Sequence, residues 1–292
     1  YGHLVSGNGG VSIWTVYPGF AMFYSNAALN NSGITWDFQG SGYLWIPPLL
    51  EDPYDPNSVF LAGGGLSGGN HILHLTAIGN TISVDEHVYN FNSTVSAMAY
   101  SPIDPSHRYA LTSNGKFYHS SNGGLSWSMS SSFTGPDAHY FYGSDILASS
   151  VELGKVIISG SGYSNPAVYV THNHGNSFEA MDEGLPGTLV FALTSTEEES
   201  YVFAATSIGP FAFSESDQIW VDIMGLDAPD QTYWSVDYIP ELHTVRYGTY
   251  GRGIWDFIVD ENIDVLYGDL NQDGTINIQD VILLVNISIS NI

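Results

Sequence analysis

The chain has 292 residues, enough for one large domain or for one domain with an appendage. Five Lys and Arg stand against 30 Asp and Glu, and the net charge of −25 argues against nucleic acid or an anionic membrane as partner. The absence of Cys removes disulfides and thiolate chemistry, no apolar run reaches transmembrane length, and 14% aromatics with 32 Gly point to an all-β protein rich in tight turns.

The chain opens at Tyr1 without Met or a signal peptide, which fits a processed or excised product. Self-similarity then organises residues 1–258. Taken in chain order, Leu29-Asn30-Asn31-Ser32-Gly33-Ile34-Thr35-Trp36 is a turn that ends on an aromatic. Pro53-Tyr54-Asp55-Pro56-Asn57-Ser58-Val59-Phe60 is a Pro/Asp turn leading into a strand, and it recurs as Pro102-Ile103-Asp104-Pro105-Ser106-His107-Arg108-Tyr109. Residues 71–83 lie between the two without a marker of their own. The turn-plus-aromatic element returns as Ser120-Ser121-Asn122-Gly123-Gly124-Leu125-Ser126-Trp127 and as Thr171-His172-Asn173-His174-Gly175-Asn176-Ser177-Phe178, with a degenerate copy from Ser214 to Trp220. The run Tyr247-Gly248-Thr249-Tyr250-Gly251-Arg252-Gly253-Ile254-Trp255 closes the series.

These turns resemble the Asp-box, Ser-x-Asp-x-Gly-x-x-Trp, found between the outer two strands of blades in sialidase-like and sortilin-like β-propellers. The Ser/Thr and Asx side chains bind the turn backbone, Gly takes a positive φ, and the aromatic plugs the gap between blades. Asn31, Asn122 and Asn173 stand at the Asp position, and Asn can still close an Asx-turn. The resemblance implies an all-β propeller of six blades over residues 1–258, or seven if a first blade is cut away. A β-sandwich of repeated hairpins is the structural alternative.

Residues 259–267 form a short acidic-to-apolar connector, and residues 268–292 carry the sharpest local chemistry. Oxygen side chains fall at positions 1, 3, 5, 9 and 12 of an EF-hand-type loop: Asp269, Asn271, Asp273, Asn277 and Asp280. Thr275 would add its carbonyl, and Gly274 sits where the loop must turn sharply. Hard oxygens at this spacing suit Ca2+. With the following Val281-Ile282-Leu283-Leu284-Val285, the segment resembles one repeat of a type I dockerin, although Asp280 replaces the usual EF-hand Glu. Dockerins normally carry two such repeats. The resemblance therefore implies a short loop-helix with an apolar face at helical spacing, which needs a surface: a cohesin-like protein or an identical subunit.

Catalytic signals are weak. Arg108, Arg246 and Arg252 are the only arginines for a sialidase-type triad, and 30 carboxylates offer no pair that sequence can place for glycoside hydrolysis. Glu197-Glu198-Glu199 reads as a solvated loop. His71/His74 and His172/His174 are the close His pairs; they read as turn or surface histidines, and zinc at either would need a third ligand from elsewhere. Asn30, Asn92 and Asn286 head glycosylation sequons. The expectation is a non-catalytic extracellular or cell-surface propeller that works in assembly through residues 268–292, as a filament, a layer or a docked subunit. The competing reading is a carbohydrate-active enzyme or carbohydrate-binding propeller tethered by its tail.

Overall fold

The computed structural model describes residues 3–26, 33–39, 44–64, 69–133, 142–163, 165–225, 228–259 and 281–282. The described strands form six antiparallel sheets in strict chain order. The first holds β1 (Leu4–Val5), β2 (Ile13–Tyr17), β3 (Phe20–Tyr24) and β4 (Ile34–Asp37). The second holds β5 (Leu49–Glu51), β6 (Ser58–Ala62), β7 (Ile72–Ile78) and β8 (Thr81–Glu86). The third holds β9 (Val95–Tyr100), β10 (Arg108–Thr112), β11 (Phe117–Ser120) and β12 (Ser128–Met129). The fourth holds β13 (Gly143–Ala148), β14 (Val156–Gly160), β15 (Val168–Thr171) and β16 (Glu179–Ala180). The fifth holds β17 (Val190–Ser195), β18 (Tyr201–Thr206), β19 (Gly209–Ser214) and β20 (Ile219–Asp222). The sixth has three described strands, β21 (Tyr233–Ile239), β22 (Thr244–Thr249) and β23 (Ile254–Ile258). These sheets are the blades of an all-β propeller, with the six blades expected from the repeats.

The core is distributed along the seams between blades. Trp14 and Ala21 of the first blade pack with Val59, Leu61 and Leu73 of the second. Phe60 and Ile72 meet Ala110, Tyr118 and Trp127 across the next seam. Tyr109, Leu111 and Phe117 meet Ile146 and Val156. Ile157 and Val168 meet Val202, Phe211 and Trp220, and Phe203 meets Tyr233, Val245 and Tyr247. Second strands are covered on both faces, so β6, β10 and β14 are buried at every position. Their near-continuous apolar runs follow from that double cover.

Two kinds of turn repeat at one end of the blades. Between first and second strands, Asp52 N donates to Ser58 O and Ser58 N to Asp55 O. The same frame joins Ser101, His107 and Asp104 in the third blade, and Ser149, Lys155 and Glu152 in the fourth. A side-chain oxygen caps each turn: Asp52 Oδ1 accepts from Tyr54 N, Ser101 Oγ from Ile103 N, and Ser149 Oγ from Val151 N. The Pro/Asp repeat marks only the first two copies. The third lacks Pro but keeps the capping hydroxyl.

Between third and fourth strands, Asn122 and Asn173 do the work expected of them. Ser126 N donates to Asn122 Oδ1 at 3.0 Å and Gly124 N to Ser120 Oγ at 2.9 Å. Ser177 N donates to Asn173 Oδ1 at 2.9 Å and Gly175 N to Thr171 Oγ1 at 2.9 Å. In both turns the Asn Nδ2 donates to the following Ser hydroxyl. Asn173→Ala removes a bonded pair and frees the Ser177 amide in an exposed turn. It is expected to lower stability by about 1–2 kcal/mol in urea unfolding; an unchanged midpoint would contradict this account of the turn. The unmarked second blade is explained by β7 and β8, which join through the two-residue turn Gly79-Asn80, with Gly79 at φ +60. A turn that short has no room for the longer motif.

Candidate functional site

Asp269, Asn271, Asp273, Thr275, Asn277 and Asp280 all lie outside the described residues. Of residues 260–292 only Val281 and Ile282 are described; they have helical backbone, and their side chains are exposed. The arginines are not brought together as a triad. Arg108 belongs to the third blade, whereas Arg246 and Arg252 belong to the sixth. Arg246 is bidentate to Asp256, with Nε and Nη2 each 2.7 Å from a carboxylate oxygen. Arg108 is buried, with its guanidinium 4.0 Å above the Phe60 ring centroid and its Nε without a hydrogen-bond partner. Glu199 corrects the solvated reading of its run. It is buried, it receives the Ser150 amide at 2.8 Å, and its Oε2 lies 3.2 Å from Lys155 Nζ.

The His pairs divide. His71 Nδ1 contacts the His87 carbonyl at 2.9 Å, while His74 Nε2 bonds Asp52 at 2.8 Å and stacks on Phe60. His172 is exposed and faces Glu152. His174, read from sequence as exposed, is instead half-buried, because its left-handed backbone at φ +57 turns the ring into the seam between the third and fourth blades.

There it meets two histidines that the sequence did not link to it. His107 ends the first turn of the third blade, and His119 lies on β11 opposite Tyr109. His107 Nδ1 and His119 Nε2 are 2.8 Å apart, with ring centroids at 5.1 Å and planes 10° apart. That geometry is a nearly coplanar pair sharing one proton. His174 stacks on both, at 4.3 Å from His107 and 4.6 Å from His119. Its Nδ1 is 2.9 Å from the hydroxyl of the buried Tyr109. One ring nitrogen from each residue lies within 4.8 Å of the other two, which among the described residues makes this the only such group of three or more His, Asp or Glu. Burial, and then the neighbouring His174 and His107, push His119 down to about 4. Burial, and then His107, also lower His174. Burial, and then Asp104, push Tyr109 up to about 12. Burial therefore favours the neutral form of His119 and His174. His107 and His174 could have been connected in sequence only by knowing that first-turn and third-turn loops of neighbouring blades share one end of the propeller.

The opposite end has a different chemistry. The inner strands there carry a bulge at the same place in four blades, at Ser96, Ser144, Phe191 and Trp234. Bulges re-aim side chains, and in the fifth and sixth blades the re-aimed residues are aromatic. Phe191 and Trp234 have centroids 4.1 Å apart, and Trp234 lies 6.4 Å from Tyr250. Trp234 and Tyr250 are exposed, and Tyr163 in the corresponding turn of the fourth blade is exposed too. Beside the fourth bulge, Asp145 receives Ile146 N at 2.9 Å and Leu193 N at 2.7 Å. Burial outweighs these two bonds and pushes its carboxyl up to about 6.

A cavity of about 290 Å³ lies near the rim between the fourth and fifth blades, with Glu179, Asp182, Glu183 and Glu215 in its wall. Lys155 reaches it already engaged by Glu199 and Glu215, at 3.2 and 3.8 Å. Among the described residues no helix is long and apolar enough to cross a membrane.

No protein-family model matches the chain, and no curated protein is significantly similar to it in sequence. Solved structures do match. A GH74 enzyme from Niastella koreensis aligns at TM-score 0.62 and 16% identity over 87% of this chain and 42% of its own. The GH74 xyloglucanase from Xanthomonas campestris aligns at TM-score 0.65 and 13% identity, over 88% of this chain and 43% of its own. The β-propeller domain of Myceliophteria thermophila Cps50 (Swd1) aligns at 0.64 and 9%, over 88% of this chain and 83% of its own. The chain thus spans about two fifths of the length of those two GH74 enzymes. At these identities, neighbours as different as a xyloglucanase and Swd1 have one thing in common with this chain, the β-propeller fold.

Proposed function

We propose that this chain is a non-catalytic Asp-box-type propeller that acts outside the cell or on its surface by binding and assembly. Residues 1–258 form the rigid disc, 259–267 a linker, and 268–292 a calcium-ordered docking segment of the half-dockerin kind. The observation that carries this reading is the set of five side-chain oxygens at EF-hand spacing, Asp269 to Asp280, followed by an apolar run. The partner is a cohesin-like protein or a second copy of the chain; repeated use of one heterologous contact between copies would give an open polymer. The bonded turns at Asn122 and Asn173 support the Asp-box kinship. The pairing of Arg246 with Asp256 and of Lys155 with Glu199 supports a structural use of these cations.

Deleting residues 268–292 tests the assembly reading. In calcium the full chain is expected to sediment as a larger species, or to be retained on a cohesin-type column, while the truncated chain does neither. Identical behaviour of the two in both assays would overturn it.

One observation favours a second reading. Exposed Trp234 and Tyr250, with half-buried Phe191 tilted against Trp234, offer an aromatic surface at the blade end that also carries Tyr163. Pyranose rings stack on such faces, and the GH74 neighbours include an enzyme named for xyloglucan. On this reading the propeller binds carbohydrate, with the tail as its tether. Trp234→Ala would then abolish retention on a polysaccharide affinity gel; retention equal to wild type would remove the reading.

A further inference from the structure

We propose that His107, His119 and His174 form a binding site for a divalent transition-metal ion of the zinc, nickel and copper class, at the seam between the third and fourth blades. The site uses other residues than the calcium segment and a different chemistry. Calcium takes hard oxygens, whereas neutral imidazoles suit borderline metals.

Three features point to it. The ligands come from three different elements, a first-turn loop, β11 and the Asn173 turn, each fixed by its own hydrogen-bond frame. Their nitrogens are already gathered within 4.8 Å. All three side chains are half-buried, so the apolar seam holds them on one side while water can reach a fourth coordination position on the other. The charge of −25 also concentrates cations at the surface.

Without metal, the 2.8 Å contact between His107 and His119 is occupied by a shared proton, and His174 lies flat above the pair. Two ligands of one tetrahedral zinc at about 2.0–2.1 Å stand roughly 3.3 Å apart. Uptake therefore moves the shared proton, by exchange with solvent, to the other nitrogen of the ring that carries it, so that neither ring is left as an imidazolate; it opens the pair by roughly half an ångström and turns His174 so that an edge nitrogen faces the ion. Side chains that are half exposed can make these rotations without disturbing the strands. The Tyr109 hydroxyl stands ready to accept from the His174 Nδ1–H, which would leave Nε2 as the ligand.

The test uses the full chain, saturated with calcium and stripped of transition metals, titrated with Co2+ and read by its visible ligand-field absorption. One equivalent is expected to give an intense band of low-coordinate nitrogen ligation, which Zn2+ then bleaches. His107→Gln, His119→Gln and His174→Asn should each weaken Co2+ binding at least ten-fold. His174→Asn is chosen because Asn tolerates the left-handed backbone of that turn, so the blade still folds. His172→Asn, in the same turn but facing Glu152, should bind like wild type. Absence of the band in the wild type, or its persistence in all three variants, would overturn the site and leave the trio as a structural stack.

Discussion

Trp220→Ala is expected to lower the unfolding free energy by about 3–5 kcal/mol, because truncating a large buried aromatic loses both its transfer energy and its packing. Trp220 is 1% exposed and lies in the seam between the fourth and fifth blades. Its indole N–H donates to the Met181 carbonyl at 2.8 Å, and its ring packs against Phe213 with centroids 5.4 Å apart. The backbone is pinned there as well: Trp220 N donates to Glu183 O at 2.8 Å, and a Cβ on Gly184 would stand 2.3 Å from the Trp220 carbonyl oxygen. The Gly184 backbone already lies close against Trp220 there, which limits how far the void can close. For a domain of this size the loss corresponds to a drop in Tm of roughly 6–20 °C. Trp220→Phe keeps most of the packing but frees the Met181 carbonyl, so about 1–2 kcal/mol is expected. Calorimetry on both variants checks the order; a loss under 1 kcal/mol in Trp220→Ala would show that the seam repacks.

The second large effect is a pH dependence centred on Asp145. Its carboxyl stands at about 6 in the folded protein, above the ordinary 3.8, with burial as the leading cause. A group raised on folding binds more protons in the native state. Its contribution is fully present below the ordinary value and is lost as pH rises through the folded value, so the window is about pH 4 to 6. Asp145 is half-buried, so solvent screens part of this effect, and by neutral pH its charge removes on the order of 1–3 kcal/mol relative to acid conditions. Asp55, Asp104 and Asp256 are lowered by their hydrogen-bond partners and act in the opposite sense, so total stability is not a clean readout. The difference between wild type and Asp145→Ala is one, since Ala97 and Ala192 occupy the same position after the bulge in neighbouring blades. The wild type should lose ground to the variant between pH 4 and 6.5, and side-chain carboxyl NMR should report the midpoint directly. A difference constant across that range would contradict the burial argument.

The fold was legible because its repeats are local. The Asn122 and Asn173 turns bond the backbone immediately around them, so their residues sit together in sequence as well as in space. Where a blade uses another solution the signal vanishes. Gly79-Asn80 closes the second blade in two residues, and Ser149 caps its turn without Pro. The His trio was illegible for the opposite reason. His107 and His119 share a blade, but His174 reaches them across a seam, and only the positive φ at His174 turns its ring inward. Glu199 looked like one of three solvated acids, yet the turn that buries it also places it against Lys155, which lies in the neighbouring blade. Chemistry held between blades leaves no spacing rule in the chain.

The central claim is that residues 268–292 are ordered by calcium as a docking segment while the propeller stands without it. Limited proteolysis of the full chain, in calcium and in chelator, with fragments identified by mass, tests it most directly. The claim predicts cleavage within residues 268–292 only after chelation, with the fragment ending near residue 258 resistant in both conditions. Equal cleavage of the segment with and without calcium would contradict it.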